Sequence, residues 1–175
     1  MLKILNNKTE NTHENEQFRR IVKIIQCVFE KYNFEGILIG NPFNDLFFKF
    51  QADALLYYNN GLIIFDFKDY EGIIEFPDVE DDFQSGEWYI ERFNDRSKVR
   101  IKGGSYVNPF KQLKKYREEF YDIVANYPQL NLDPSKIGSI NVFSGPIEVK
   151  NQVPKKFRFY RLLQESNLED CHVPK

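Results

Sequence analysis

Asp53, Asp66 and Lys68 are the residues of this 175-residue chain whose types and spacing could do chemistry. Asp53 opens a run that reads as a strand, Ala52 to Tyr58, and Asp66 lies near the end of the next, Leu62 to Phe67. Asn59-Asn60-Gly61 between them is a strong hairpin signal. The two runs are therefore antiparallel, and the start of one lies beside the end of the other. Counting across the turn pairs Asp53 with residue 67 or 68, so the two carboxylates can reach one point in space. Lys68 follows Asp66 by two positions and shares its strand face, with Phe67 buried behind them. Two hard carboxylates and a carbonyl oxygen form a nest suited to Mg²⁺. Such an ion stabilises charge developing on a phosphate and lowers the pKa of a bound water. A lysine beside it can orient or deprotonate that water, or neutralise the phosphate.

The (D/E)-x-K triplet is a weak signal by itself, since composition alone gives about two in a chain like this. Glu148-Val149-Lys150 is the second, and its plain reading is a surface ion pair after a Gly-Pro turn. Asp66 differs because it ends an apolar strand, where an unpaired charge is costly, and because the hairpin supplies Asp53. Trp88 reads as core packing rather than a base-stacking platform. Lys111, Lys114, Lys115 and Arg117 form a basic helical stretch, by default a solvated face, which beside such a site could contact phosphates. Gly103-Gly104-Ser105 lacks the pattern of a phosphate-binding loop.

Two helices and several strands must hold these residues. Apolar positions Phe18, Ile21, Val22, Ile25, Val28 and Phe29 predict a helix from His13 to about Tyr32, with Thr12 as N-cap. Glu14 falls one turn before Phe18 on the buried face, while Glu16 points elsewhere. Asn108-Pro109 is a good start for a second helix running to about Tyr127. Further strands are expected at Ile37–Ile39, Gly72–Phe76, Glu87–Phe93, Val99–Lys102, Ser139–Phe143, Ile147–Val149 and Phe157–Tyr160. Asn41-Pro42-Phe43-Asn44-Asp45 reads as a turn, Leu46–Phe50 as extended or loop, and Asp78–Gly86 as an exposed acidic loop. The order helix, strands, helix, strands predicts an α/β or α+β fold, a mixed sheet flanked by helices. Residues 1–12 look loose, and 13–175 read as one domain.

Composition narrows the classes. Apolar residues make up 42% of the chain, with 17 Phe and 10 Tyr, which is globular. The net charge of −2 argues against a stand-alone, sequence-blind DNA binder but not against a site that needs carboxylates. Only His13 and His172 are present, which disfavours a His-rich zinc site and a Ser-His-Asp triad. Cys27 and Cys171 read as reduced thiols. There is no spanning apolar run and no signal-peptide core, so a cytoplasmic protein without membrane attachment is expected.

From Phe50 to Phe120 the chain resembles the nuclease-related domain (NERD), a branch of the PD-(D/E)xK nuclease superfamily. The matching segments are Ala52-Asp53-Ala54-Leu55-Leu56, then Gly61 to Lys68, Gly72-Ile73-Ile74, Glu87-Trp88-Tyr89 and Asn108-Pro109-Phe110-Lys111-Gln112. Their order is far more specific than any one of them. The resemblance implies a restriction-endonuclease-like fold and metal ligation by Asp53, Asp66 and the Phe67 carbonyl. It also implies a catalytic Lys68, with Gln112 near the site. An acid of the first helix usually completes the set, and the face argument selects Glu14, with Glu16 next. The chain departs from the usual family pattern in carrying Asp66 where Glu is commoner. The function implied is Mg²⁺- or Mn²⁺-dependent hydrolysis of DNA. The alternatives are a nucleic-acid-binding or regulatory domain with weak chemistry, and an accessory domain serving a helicase or kinase module in the same or another chain. No ATP-binding motif is present, and the abrupt ending at Lys175 would suit a fragment of a longer chain.

Overall fold

The computed structural model describes residues 1–7, 12–44, 50–77 and 79–170. In chain order the elements are β1 (Leu2–Asn6), α1 (Thr12–Tyr32), β2 (Gly36–Gly40), β3 (Phe43–Asn44), β4 (Phe50–Gln51), β5 (Ala54–Tyr58), β6 (Gly61–Lys68) and β7 (Gly72–Glu75). They continue with α2 (Glu80–Ser85), β8 (Trp88–Glu91), β9 (Lys98–Ile101), α3 (Pro109–Asn126), β10 (Ile137–Phe143), β11 (Ile147–Val149) and β12 (Tyr160–Gln164). Six strands form the main sheet in the order β1-β2-β5-β6-β10-β12, and four form a second, β11-β7-β8-β9. Both sheets are mixed. In the main one β5 runs antiparallel to its neighbours β2 and β6, while β1–β2, β6–β10 and β10–β12 pair in parallel. The expected mixed α/β architecture, of the restriction-endonuclease-like α+β kind, is therefore present.

The hairpin is tight because Asn59 and Asn60 both adopt positive φ, 51° and 57°, the geometry a two-residue turn needs. Tyr58 then pairs with Gly61 and Ala54 with Phe65. This register sets Asp53 beside Asp66, not beside 67 or 68, because the loop holds two residues rather than three. Strand β5 starts at Ala54, with Asp53 in a bend just before it. β6 is the sheet's spine and is buried along its whole length except for half-buried Lys68.

Alternation along β6 separates two cores. Ile63, Phe65 and Phe67 pack with Phe18, Ile21, Ile25 and Phe29 of α1. Leu62 and Ile64 pack instead with Phe110, Leu113, Tyr116 and Phe120 of α3 and with Ile74, Trp88 and Ile90 of the second sheet. Asp66 and Lys68 have the parity of Leu62 and Ile64, so they face the α3 side. Trp88 is fully buried, as its core reading required. Among the described residues no helix is long and apolar enough to cross a membrane.

Four expectations are corrected. Residues 2–6 are not loose: β1 is an edge strand, paired in parallel from Leu2↔Gly36 to Asn6↔Gly40. The acidic stretch after Pro77 is not merely a loop. Its residues Glu80–Ser85 form a short helix that inserts Phe83, fully buried, among Phe76, Trp88 and Phe110. Phe157 ends a 3₁₀ turn, and the last strand begins only at Tyr160. Phe43–Asn44, read as part of a turn, pairs with Phe50–Gln51. The run Leu46–Phe50 lies largely, and Asp78 and Cys171 wholly, outside the described residues.

The Asn-Pro pair at the head of α3 is structural. Asn108 is fully buried; its Oδ1 accepts from Lys111 N at 2.7 Å and caps the helix. Its Nδ2 donates to the carbonyls of Phe83, Gln84 and Gly86 at 3.3, 3.3 and 2.8 Å, tying α2 to α3. Asn108→Ala removes a cap and strips partners from buried carbonyls. Urea unfolding should therefore show a loss of about 2–3 kcal/mol. A loss below about 0.5 kcal/mol would mean that the clamp contributes nothing.

Candidate active site

The site lies at the end of β6, where β5 begins and β10 ends. Asp53 is pinned by its backbone on both sides. Its N–H donates to Phe65 O at 3.2 Å, and its carbonyl accepts from Asn41 N at 2.8 Å. Its side chain turns across the strand end, and Oδ2 accepts from Phe67 N at 2.5 Å. Asp66 is only 4% exposed. Its Oδ2 accepts from Lys68 Nζ at 2.7 Å and from Asn141 Nδ2, and Gln112 donates to the same carboxylate. Gln112 reaches in from the first turns of α3, and its Nε2 also donates to Tyr116 Oη at 3.2 Å. Asp53, Asp66, Phe67, Lys68 and Gln112 are thus brought together as expected.

The electrostatics are those of an acidic pair short of counter-charge. Burial, then the neighbouring charge of Asp66, pushes the Asp53 carboxyl up to about 7, against the Phe67 N–H and Lys68, which favour its ionised form. Burial also raises Asp66, opposed by Lys68 and by the amides of Asn141 and Gln112. Gln112 Oε1 is buried and has no hydrogen-bond partner among the described residues. Two carboxylates that resist ionising together, with an amide oxygen left unsatisfied, form an all-oxygen donor set that fits a hard divalent cation such as Mg²⁺ or Mn²⁺.

Glu14 enters from α1. It is half-buried in the first turn of α1, whereas Glu16 is exposed, so the helix-face argument holds. Its charge is felt at Asp53, where it is the weakest of the effects named. Yet α1 covers the opposite face of the sheet from Asp66, and no group of three or more His, Cys, Asp or Glu among the described residues could hold a metal. Asp53 and Asp66 are the acids that meet at the strand end, and Glu14 reaches Asp53 through its charge.

The basic helix stretch is split. Lys114 Nζ bonds Gln84 Oε1 at 3.0 Å and lies 3.7 Å from Glu118, which turns it toward α2. Lys111 and Lys115 are exposed. The second triplet, Glu148-Val149-Lys150, lies at the surface: Glu148 is exposed, and Lys150 pairs with Glu75 at 3.7 Å.

Sequence reasoning missed Gln17, Asn141 and Tyr160. Gln17, buried on α1, donates to Val142 O at 3.2 Å at the end of β10. Asn141 stands opposite Asp66 in the parallel β6–β10 register. Tyr160 Oη donates to Asn141 Oδ1 at 2.5 Å. Burial holds Tyr160 well above the usual phenol range, so it stays a donor. The available signal was Asn141 itself, an amide inside the apolar run Ile137–Phe143.

The profile of the nuclease-related domain (NERD) matches residues 14–144, which runs from α1 to the turn after β10 and covers well over half of the chain. The chain belongs to the nuclease-related domain family. No curated protein and no solved structure gives a significant match. The NERD match spans every residue of the site described so far except Tyr160, which lies beyond its end.

Proposed function

We propose that this NERD domain is a metal-dependent phosphodiesterase that hydrolyses DNA. The observation that carries the reading is the facing pair Asp53 and Asp66 with Lys68 Nζ 2.7 Å from Asp66, all at one buried strand end. Asp53, Asp66 and the Phe67 carbonyl would hold Mg²⁺ or Mn²⁺. When bound, the ion would supply charge stabilisation for the phosphate and a more acidic water. Lys68, paired with Asp66, would orient that water or neutralise the phosphate. Gln112 would hold Asp66 through one amide hydrogen and offer Oε1 to a water. Glu14 would act on the site through its charge. The exposed Lys111 and Lys115 would meet backbone phosphates on the flank of α3. The net charge of −2 fits a domain brought to DNA by a helicase or kinase module rather than by its own field.

The decisive experiment incubates the protein with linear, circular and single-stranded DNA and Mg²⁺ or Mn²⁺. Cleavage that stops with a chelator is the expected result. Binding of DNA without cleavage under either metal would favour a nucleic-acid-binding or regulatory role for the same fold.

A further inference from the structure

Strand β10 is buried at every position, yet Asn141 sits between Ile140 and Val142. A buried amide without partners is costly, so where its hydrogen bonds go is informative. Nδ2 goes to Asp66 Oδ2, the oxygen that Lys68 also holds, and Oδ1 accepts from Tyr160 Oη at 2.5 Å. The Tyr160 ring is in turn gripped by the aromatic core. It meets Phe110 edge-on at 5.1 Å and 86°, Trp88 at 6.1 Å and Phe83 at 6.4 Å. Tyr160 donating to Oδ1 and Asp66 accepting from Nδ2 agree on one orientation of the amide, and the opposite one would set an oxygen against the Asp66 carboxylate.

We propose that Asn141 and Tyr160 are positioning residues for the metal-binding carboxylate of Asp66: Tyr160 orients the Asn141 amide, and Asn141 fixes Asp66. The proposal rests on reading Asp66 as a metal ligand. It assigns a functional role to a tyrosine that lies beyond the stretch matched by the NERD profile.

A purely structural role would lower the melting temperature of variants without changing what the folded protein binds. The test therefore titrates MgCl₂ and MnCl₂ into the full chain by calorimetry, with circular dichroism melts confirming the fold. Groups that hold a metal ligand in place typically contribute 10–100-fold to metal affinity. Asn141→Ala should weaken binding by roughly that factor, and Tyr160→Phe by about threefold to tenfold. Tyr160→Phe keeps the ring and its packing, so it carries the test even if Asn141→Ala does not fold. Ser139→Ala, on the same face of β10 and equally buried, should bind as wild type. Because Tyr160 acts through Asn141, Tyr160→Phe should add nothing in an Asn141→Ala background. Folded variants that bind metal as wild type does, or a full Tyr160→Phe effect in the double variant, would overturn the positioning role alone. A wild type that binds neither metal would overturn it together with the reading of Asp66.

Discussion

Lys68→Met should slow DNA cleavage by on the order of 10³-fold at saturating Mg²⁺ while leaving metal affinity intact or tighter. The ammonium lies 2.7 Å from Asp66 Oδ2, and its side chain is 11% exposed, so it is held at the site rather than waving in solvent. Methionine keeps the apolar stem and most of the volume. What it removes is one charge and its donors, the groups a phosphate or attacking water would meet. It also removes the cation that now offsets Asp66, so a divalent ion would bind at least as well. Asp66→Asn should give the complementary result, weaker metal binding as well as lost cleavage, because a ligand oxygen is replaced. Single-turnover rates across a metal titration separate the two. A Lys68→Met protein that is folded and cuts within tenfold of wild type would reduce Lys68 to a structural partner of Asp66.

The parts of this site that were legible in sequence are those governed by local rules. Asn59-Asn60-Gly61 specifies its own turn, and the turn fixes which carboxylates meet. The register slipped because a turn of two residues and one of three differ by a single step that composition does not mark. Period-two alternation placed Asp66 and Lys68 on one face, and the ion pair is there. Period 3.6 found α1 and chose Glu14 over Glu16, since a helix wheel reports a face. It does not report which layer of the sheet that face meets, and α1 meets the layer of Phe65 and Phe67. The features lost were those made by distant partners. Leu2–Asn6 becomes a strand only through Gly36–Gly40, and the acidic Glu80–Ser85 becomes a helix only because Phe83 finds Trp88 and Phe110. Asn141 acquires meaning only beside Asp66 and Tyr160, from two other strands.

The metal-free protein should lose stability as pH rises from about 4 to about 7, and a divalent cation should restore it. The argument is one of linkage. Burial and the Asp66 charge push the Asp53 carboxyl up to about 7 in the folded chain, against 3.8 for a free aspartate. The folded state therefore binds this proton more tightly than the unfolded state, and stability falls with pH across that window. A shift of that size would amount to about 4 kcal/mol at 1.36 kcal/mol per unit. Asp53 is only partly shielded from solvent as a residue, so a measured effect of about 1–2 kcal/mol is expected. Other groups also titrate, so the informative quantity is the difference from Asp53→Asn, which keeps the shape without the charge. Without metal, the variant should match wild type near pH 4, where Asp53 is mostly protonated. At pH 8 it should be more stable, because wild type then carries a charge that burial and Asp66 oppose. Added Mg²⁺ or Mn²⁺ should raise the melting temperature of wild type more at pH 8 than at pH 5, since the cation replaces the proton as counter-charge. It should do little for Asp53→Asn at either pH. Equal stability of the two metal-free proteins at pH 8 would mean that Asp53 and Asp66 do not repel across the strand end. The cation would then have no strained pair to relieve, and the main physical reason for placing it there would be gone.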